Sequence, residues 1–366
     1  MGVFFTSESV NIGHPDKTCD VIADSFLDEA LKYDPNAQMA VECAIKNDVL
    51  MIYGEQTTTA KIDYEKIASD VLKDIGYKND FKFVKVISEQ SPDINQAVVG
   101  KILNANDQGM MFGYATNETP EFMPLPIIMA HKIMMKYDQY RRANSSKYFA
   151  DAKSQVTVEY ENDRPKSIKT ILISVSHNEK LTNKQIYEDI YKNVVMPVVE
   201  KAGYPKNKDF NVIINPSGKF TIWGSFGDSG CVGRKIVVDT YGGMGRVGGG
   251  CFSSKNATKV DRSAAYYARY VAKNIVANEL ADRCEIQISY AIGEPKPVSI
   301  LINTFGTNKV EEEQIIKIVN DNFDFSVSNI IKELDLLKPQ FKQTACFGHF
   351  GRNEFSWERV KPLIIK

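Results

Sequence analysis

Residues 15–54 read PDKTCDVIADSFLDEALKYDPNAQMAVECAIKNDVLMIYG. Apolar side chains recur at helical spacing over about Pro15–Lys32, which predicts an amphipathic helix. Two segments of strand character follow on either side of a short turn, and they predict a hairpin of Gln38–Lys46 and Val49–Gly54. A further helix is expected over about Tyr64–Ile75, so this part of the chain has the order helix, strand, strand, helix.

The same order recurs twice further along the chain. The second occurrence is expected over residues 126–142, 154–160, 168–176 and 183–200, and the third over 262–282, 285–292, 298–305 and 311–322. Extended segments precede the first helices at 3–6, 110–114 and within 236–252, and apolar stretches follow the second helices at 83–88, 210–215 and 345–350. We therefore predict an α+β fold of three pseudo-repeated β-α-β-β-α-β units, over residues 3–98, 104–221 and 223–360, with helices on one face of mixed sheets.

Two of the predicted strands are nearly continuous apolar runs, Thr170–Val175 and Val298–Ile302. A strand that is apolar on both faces must be covered on both faces, and helices cover only one. The second cover is expected from a sheet of another unit or of a second subunit. The sequence thus predicts an oligomer with sheet-on-sheet contacts.

The composition is that of an ordinary globular chain. Of 366 residues, 45 are basic and 46 are acidic, so the net charge of -1 argues against a general nucleic-acid coat. No apolar run is long enough to span a membrane. The six cysteines show no C-x-x-C spacing, which favours reduced core residues and a cytoplasmic location over a zinc site or a disulfide framework.

The densest unusual segment is residues 239–263, DTYGGMGRVGGGCFSSKNATKVDRS. Its glycines let backbone N–H groups approach an anion, while Lys255 and Lys259 can neutralise phosphate and Asp261 can hold a divalent metal ion. A strand is expected just before it, over Lys235–Val238. The alternative is a glycine-rich surface loop with solvated charges. A match to G-x-G-x-x-G at residues 243–248 is weak, because the next helix is expected only near Asp261.

A second candidate is GHPDK at Gly13–Lys17, where a helix begins. His14, Asp16 and Lys17 at a positive helix terminus suit phosphate and Mg²⁺, although simple helix capping is the alternative. Polar clusters also occur at 151–155 and around the glycine-bearing segment 224–235. No nucleophile–base pair is evident, and His131, His177 and His349 read as helix-face, loop and structural residues. The absence of such a pair fits a reaction whose nucleophile is already reactive and needs no general base.

Several segments in the same order resemble the S-adenosylmethionine synthetase (methionine adenosyltransferase) family. They are GHPDK at 13–17, QSPDINQ at 90–96, DQGMMFGYATNE at 107–118, DAKSQ at 151–155, and the segments 227–243 and 259–263. The resemblance extends from Phe5 to about Trp357. It implies that the methionine sulfur attacks C5′ of ATP, and that the displaced triphosphate is hydrolysed to diphosphate and phosphate. It also implies a homodimer with shared active sites, expected to pair as a dimer of dimers.

The resemblance further implies roles for individual residues. The implied ATP contacts are His14, Asp151, Lys153, Lys219, Phe220, Asp228, Arg234, Lys235, Cys251 and Lys255, with His14, Lys153, Arg234 and Lys255 catalytic. The implied methionine contacts are Glu55, Gln90, Asp228 and Lys259. Two Mg²⁺ ions per site are implied at Asp16 and Asp261, and one K⁺ at Glu42.

The glycine-rich loop departs from the family pattern. Relatives typically have Gly-Ala-Phe-Ser-Gly-Lys-Asp where this chain has Gly-Cys-Phe-Ser-Ser-Lys-Asn, so Cys251, Ser254 and Asn256 are unusual. Ser254 is expected to stiffen or redirect the turn next to Lys255. Cys251 is either a small packed side chain or a thiol with a lowered pKa.

Two other functions stay open at this point. A non-catalytic nucleotide-binding regulatory subunit is disfavoured, because such a protein would not need all of these charged residues. A nicotinamide-dependent dehydrogenase depends only on the weak glycine match at residues 243–248.

Overall fold

A computed structural model describes residues 2–89 and 103–365. Its strands are β1 (Val3–Val10), β2 (Gln38–Lys46), β3 (Val49–Thr57), β4 (Lys82–Glu89), β5 (Gly109–Thr116), β6 (Tyr148–Glu161), β7 (Arg164–His177), β8 (Lys206–Ile214), β9 (Gly230–Cys231), β10 (Arg283–Tyr290) and β11 (Ser299–Asn303). Its α-helices are α1 (Pro15–Tyr33), α2 (Tyr64–Ile75), α3 (Leu125–Ala143), α4 (Asn183–Ile190), α5 (Met196–Ala202), α6 (Ile236–Asp239), α7 (Val260–Ala277), α8 (Glu312–Asn322) and α9 (Val327–Glu333).

The strands form three sheets, with the orders β4-β3-β2-β9, β1-β6-β7-β8 and β11-β10-β5. The first two contain both parallel and antiparallel pairs, and the α+β fold class is confirmed. The three repeats exchange strands, which their hydropathy did not indicate. β1 joins the sheet of the second unit, β5 that of the third, and β9 that of the first. Hydropathy identifies strands but not their partners, which explains why this exchange was not foreseen.

Each helix lies where its apolar face can be buried. His14 caps the start of α1, Pro15 occupies its first turn, and the apolar side of the helix covers the first sheet. One core joins α1, α2 and α7 to the first and third sheets, and a second core lies between the second sheet, α3 and the helical segment 183–202. That segment was expected to be one helix. It contains a wider π turn over Tyr191–Val195, just before Pro197, which has no N–H to continue the α-helical ladder.

Two predicted strands are wrong. Residues 235–238 overlap the single-turn helix α6, and the described chain from 236 to 252 has no strand. Residues 345–350 form turns after a short 3₁₀ helix, Lys342–Thr344, because Phe347 and Gly348 have φ values of 66° and 83°. A left-handed pair of residues reverses the chain and cannot continue a strand.

The sheets carry apolar side chains on the faces turned away from the helices. Phe4 on β1 is 51% exposed and Leu301 on β11 is 53% exposed. Met51 and Val84 lie side by side on β3 and β4, and both are exposed. Side chains alternate along a strand, so these residues lie opposite the ones that pack into the core. Separately, no described helix is both long and apolar enough to cross a membrane.

Candidate active site

The start of α1 brings together side chains from distant parts of the chain. Asp16 is 2% exposed, and its carboxylate accepts hydrogen bonds from the Cys231 N–H (3.1 Å) and from Lys235 Nζ (2.6 Å). The segment that carries Cys231 and Lys235 reaches Asp16 because β9 pairs with β2 and crosses in front of α1. A Cβ at Gly230 would lie 2.2 Å from the Pro15 carbonyl carbon, so only glycine permits this approach. We call His14, Asp16, Lys235 and their neighbours Lys153, Asp151, Asp228 and Arg234 the helix-start cluster.

His14 is a neutral imidazole within this cluster. Its Nδ1 accepts a hydrogen bond from the Asp16 N–H, which makes it the N-cap of α1. Burial lowers the pKa of His14 to about 3, and the nearby positive charges of Lys235 and Lys153 contribute in the same direction. Burial alone would raise the pKa of Asp16, but the hydrogen bonds from Lys235 and Cys231 outweigh it and keep that pKa below its usual value. Asp16 is therefore ionised beside a neutral His14.

Lys17 is buried and cannot reach a phosphate group, so the interpretation of Lys17 as a phosphate ligand is wrong. The side chain is fully buried and forms ion pairs with Asp20, at 2.8 Å, and with Asp239. These carboxylates raise the pKa of Lys17 despite its burial. Asp20 also accepts a hydrogen bond from the Gly233 N–H at 3.0 Å. The buried ion pairs thus connect α1 to the segment that delivers Lys235, a supporting role that the sequence did not reveal.

β6 and the loop after β8 complete the helix-start cluster. Asp151 Oδ2 accepts a hydrogen bond from the Gly224 N–H at 2.9 Å, and burial raises its pKa to about 6. Lys153 is two residues further along β6, exposed on the outer face of its sheet. An Arg234 guanidinium nitrogen lies 3.6 Å from an Asp16 oxygen, and Asp228 is exposed nearby. These four predicted residues are therefore gathered around His14 and Asp16.

A second group, the glycine-loop cluster, is built on residues 248–261. Lys255 Nζ lies 2.5 Å from Asp261 Oδ2, and Lys255 forms an isolated β-bridge with Ala40 of β2. A Cβ at Gly250 would lie 2.1 Å from the Asp261 carboxyl carbon, so any larger residue there would force the Asp261 carboxylate to move. The loop thus brings Lys255 to Asp261, which lies in the first turn of α7.

Glu55 and Lys259 belong to the same cluster. Burial lowers the pKa of the Lys259 ammonium, and Lys255 adds to this effect, while Glu55 and Asp107 partly oppose it. Glu55 is directly opposite Ala40 across the β2–β3 pair, so it lies beside the Lys255 bridge. The predicted methionine contacts Glu55 and Lys259 are therefore close enough to interact electrostatically.

Glu42 and Cys251 lie at the edge of the glycine-loop cluster. Glu42 accepts a hydrogen bond from the Tyr53 hydroxyl at 3.3 Å. The hypothesis of a low thiol pKa at Cys251 is wrong, because burial raises that pKa to about 11 in spite of Lys255. The packed-side-chain interpretation is supported by the contact that a Cβ at Gly233 would make with Cys251, at 2.7 Å. All six cysteines are free thiols.

The unusual loop residues have definite environments. Ser254 has φ of 77°, its N–H donates to Asp24 at 3.0 Å, and its buried hydroxyl has no hydrogen-bond partner among the described residues. A serine in the left-handed region is strained, because that conformation favours glycine. Asn256 is well accommodated, since its side chain accepts from the Met39 N–H at 3.0 Å.

The remaining predicted residues lie outside both clusters or outside the described chain. Lys219 and Phe220 are on the turn that follows β8, where the Phe220 backbone pairs with His177. His177 is the last residue of β7 rather than a loop residue. Gln90 lies outside the residues that the structure describes.

The two clusters are neighbours within one chain, because Cys251 of the glycine loop lies against Gly233, next to Arg234. Within residues 2–89 and 103–365, no hydrogen bond or ion pair joins the helix-start cluster to the glycine-loop cluster. In the same part of the chain, no group of three His, Cys, Asp or Glu side chains could hold a metal ion unaided. The segment 243–248 contains neither helix nor strand, and the next helix begins only at Val260, which contradicts a dinucleotide-binding site of the dehydrogenase type.

Comparisons with known proteins agree on one family. The N-terminal, central and C-terminal domain models of S-adenosylmethionine synthetase match residues 2–99, 102–220 and 222–359 respectively. The S-adenosylmethionine synthase of Mesoplasma florum is 52% identical over 374 aligned residues, which cover 99% of each chain.

Proposed function

Because the chain belongs to the S-adenosylmethionine synthetase family, we propose that its two clusters are halves of one active site that a second copy of the chain completes. The enzyme is a methionine adenosyltransferase: the sulfur of methionine attacks C5′ of ATP, and the displaced triphosphate is hydrolysed to diphosphate and phosphate.

The proposal of a shared active site rests on one observation, which is that candidate residues lie on the outer faces of the sheets. Glu42 and Glu55 alternate with the core-facing residues of β2 and β3, so they lie on the outer face that also exposes Met51. Lys153 likewise lies on the outer face of the second sheet, the face that exposes Phe4. A second copy stacked on these apolar faces would bury both and place functional side chains at the interface. We propose a homodimer of this kind, paired into a homotetramer.

The chemistry needs no general base, since a thioether sulfur is neutral and already nucleophilic. The barrier comes from negative charge that develops on the triphosphate as the C5′–O bond breaks. In our proposal Lys153 and Arg234 from one chain and Lys255 from its partner receive this charge. His14 contributes a hydrogen bond near C5′ without adding a proton equilibrium, because it is neutral. Alignment of sulfur and C5′ supplies the rest of the acceleration.

The carboxylates of Asp16 and Asp261 fit Mg²⁺ bound together with substrate phosphates. Mg²⁺ commonly uses one or two protein carboxylates and completes its shell with phosphates and water. Here each carboxylate is paired with a lysine, Lys235 at 2.6 Å and Lys255 at 2.5 Å, and Asp16 also lies 3.6 Å from Arg234. These basic side chains can turn to the triphosphate instead. When bound, Mg²⁺ would neutralise charge on the leaving group. We assign one of the two ions per site to each of these aspartates, and K⁺ to Glu42.

Substrate contacts follow the same division. We assign methionine to Glu55 and Lys259 from one chain and to Asp228 from the other, with Gln90 also contributing. A carboxylate and an ammonium suit the two charges of an amino acid. We assign ATP to Asp151, Lys219, Phe220, Lys235 and Cys251 in addition to the catalytic residues above. The free cysteines are consistent with the cytoplasmic location that we propose.

A subunit-mixing experiment tests the shared site. Lys153→Ala and Lys255→Ala homodimers should both be nearly inactive. A heterodimer of the two variants, purified through different affinity tags, keeps one site with an intact Lys153 from one chain and an intact Lys255 from the other. We expect about half of the wild-type activity per dimer. If each site were formed within a single chain, the heterodimer would contain no intact site and would stay inactive. Unmixed wild-type protein carrying both tags is the control for purification losses.

A further inference from the structure

The turn that carries Phe220 is attached to the end of β7 by His177. The His177 N–H donates to the Phe220 carbonyl at 2.9 Å, and the Phe220 N–H donates to His177 Nε2 at 3.1 Å. The second of these hydrogen bonds is made by the imidazole side chain. His177 as a whole is only 1% exposed. His177 therefore forms hydrogen bonds with both the N–H and the carbonyl group of Phe220, although the two residues are 43 positions apart.

The hydrogen bonds of His177 define its tautomer. Nδ1 lies 2.9 Å from the Asn178 carbonyl oxygen, which can only accept. Nδ1 must therefore carry the proton, and Nε2 is left with the lone pair that accepts from the Phe220 N–H. A neutral imidazole is thus suited to holding this turn, and an apolar side chain at position 177 would leave the Phe220 N–H without its acceptor.

The rest of the turn has an independent anchor. The Asn215 side chain accepts from the Val175 N–H at 2.8 Å and donates to the Val175 carbonyl at 2.9 Å. Beyond Phe220, the Gly224 N–H donates to Asp151. Asn215 and Asp151 thus hold the two ends of the segment, and His177 alone among the described side chains bonds to the Phe220 backbone between them. Replacement of His177 should displace Phe220 without unfolding the turn.

We propose that His177 is a positioning residue for the transferase reaction, which holds the Lys219–Phe220 turn in the orientation that binds the adenine side of ATP. This inference rests on the proposed assignment of Phe220 to ATP. His177 touches neither substrate nor reacting atoms in this proposal. Its effect reaches the nucleotide through Phe220, so the triphosphate and methionine parts of the site should not depend on it.

The test compares His177→Leu, His177→Gln and Phe220→Ala. We expect His177→Leu to raise KM for ATP about five- to tenfold, as for the loss of one hydrogen bond, with kcat and KM for methionine nearly unchanged. His177→Gln should lie closer to the wild type, because its amide oxygen can replace Nε2 as an acceptor. Hydrolysis of added tripolyphosphate, which has no adenine, should stay normal in both. His131→Gln is the matched control, since His131 is equally buried and bonds to Ser9 instead.

The outcomes separate this inference from the proposed function. If Phe220→Ala raises KM for ATP but His177→Leu does not, the positioning role is wrong and the Phe220 assignment stands. If Phe220→Ala leaves KM for ATP unchanged, the assignment of Phe220 fails. An equal loss of tripolyphosphate hydrolysis in His177→Leu and His177→Gln would show that His177 only supports the fold, which also overturns the inference.

Discussion

Lys235 Nζ lies 2.6 Å from Asp16 Oδ2, although 219 positions separate the two residues in the chain. The contact exists because β9 enters the first sheet beside β2 and carries the following residues across the start of α1. It pairs a predicted metal ligand with a predicted phosphate ligand before either substrate arrives.

Replacement of Lys235 by methionine should shift the acidic limb of the activity profile. Lys235 helps to keep the pKa of Asp16 below its usual value. Without the ammonium that pKa rises, so Asp16 becomes protonated at a higher pH and activity is lost earlier as the pH falls. We also expect kcat/KM for ATP at pH 8 to fall about 10- to 100-fold, as for the loss of one charged contact to ATP. Rates measured from pH 5 to pH 9 test both effects, and an unmoved acidic limb would disprove the coupling.

The buried ion pairs of Lys17 should dominate the stability of the α1 region. Lys17→Met leaves Asp20 and Asp239 buried without their cation, and should lower the free energy of unfolding by about 3–5 kcal/mol. Lys32→Met is the matched control on the same helix, because the Lys32 side chain is 53% exposed and pairs only at the surface with Glu29. That change should cost about 0–1 kcal/mol. Chemical denaturation of both variants measures the difference, and equal losses would contradict the burial argument.

Ser254→Gly should stabilise the protein. The serine has φ of 77° and a buried hydroxyl without a described partner, so glycine removes both the backbone strain and the unsatisfied group. We expect a gain of about 1 kcal/mol in the free energy of unfolding, seen as a higher Tm. Ser253→Gly is the control, because Ser253 is also buried but has no positive φ. A gain of the same size at Ser253 would argue against backbone strain as the cause.

His14 should not titrate in the working pH range. Burial lowers its pKa to about 3, so the imidazole is neutral above that pH and becomes charged only below it. The kcat profile between pH 5 and pH 8 should therefore have no inflection that His14→Gln removes, although this variant should lower kcat itself. Imidazole NMR signals of the free enzyme, assigned with the same variant, give a direct measurement. A His14 titration midpoint near 6.5 would contradict the geometry.

Local patterns were sufficient for most of the secondary structure. The bounds predicted for β2 and α2 agree with the structure at both ends, since each element has clear periodicity and a turn or glycine at its end. The pattern was misleading over residues 235–238 and 345–350. Both segments are apolar, but a short helical turn in one and positive φ values in the other prevent strand formation. Apolar composition reports burial, and it does not by itself distinguish a strand from a buried turn.

The candidate site shows the same division. The residue types and order around His14, Asp16, Lys255 and Asp261 were enough to identify the family and hence the reaction. The sequence could not show that Lys17 turns into the core, because that orientation depends on Asp239, which reaches it from another unit. The sequence also could not show that His177 pairs with Phe220, because the two residues are 43 positions apart.

The order of polar motifs and three recurrences of one hydropathy pattern by themselves determined the family, the chemistry and the α+β class. Those features are local, and each can be recognised from side-chain type and spacing over a few residues. Only the tertiary structure decided which sheet each exchanged strand joins, which charges are buried, and that the functional residues form two groups beside exposed apolar faces. Such features arise from contacts between segments far apart in the chain, where packing and desolvation select the partners.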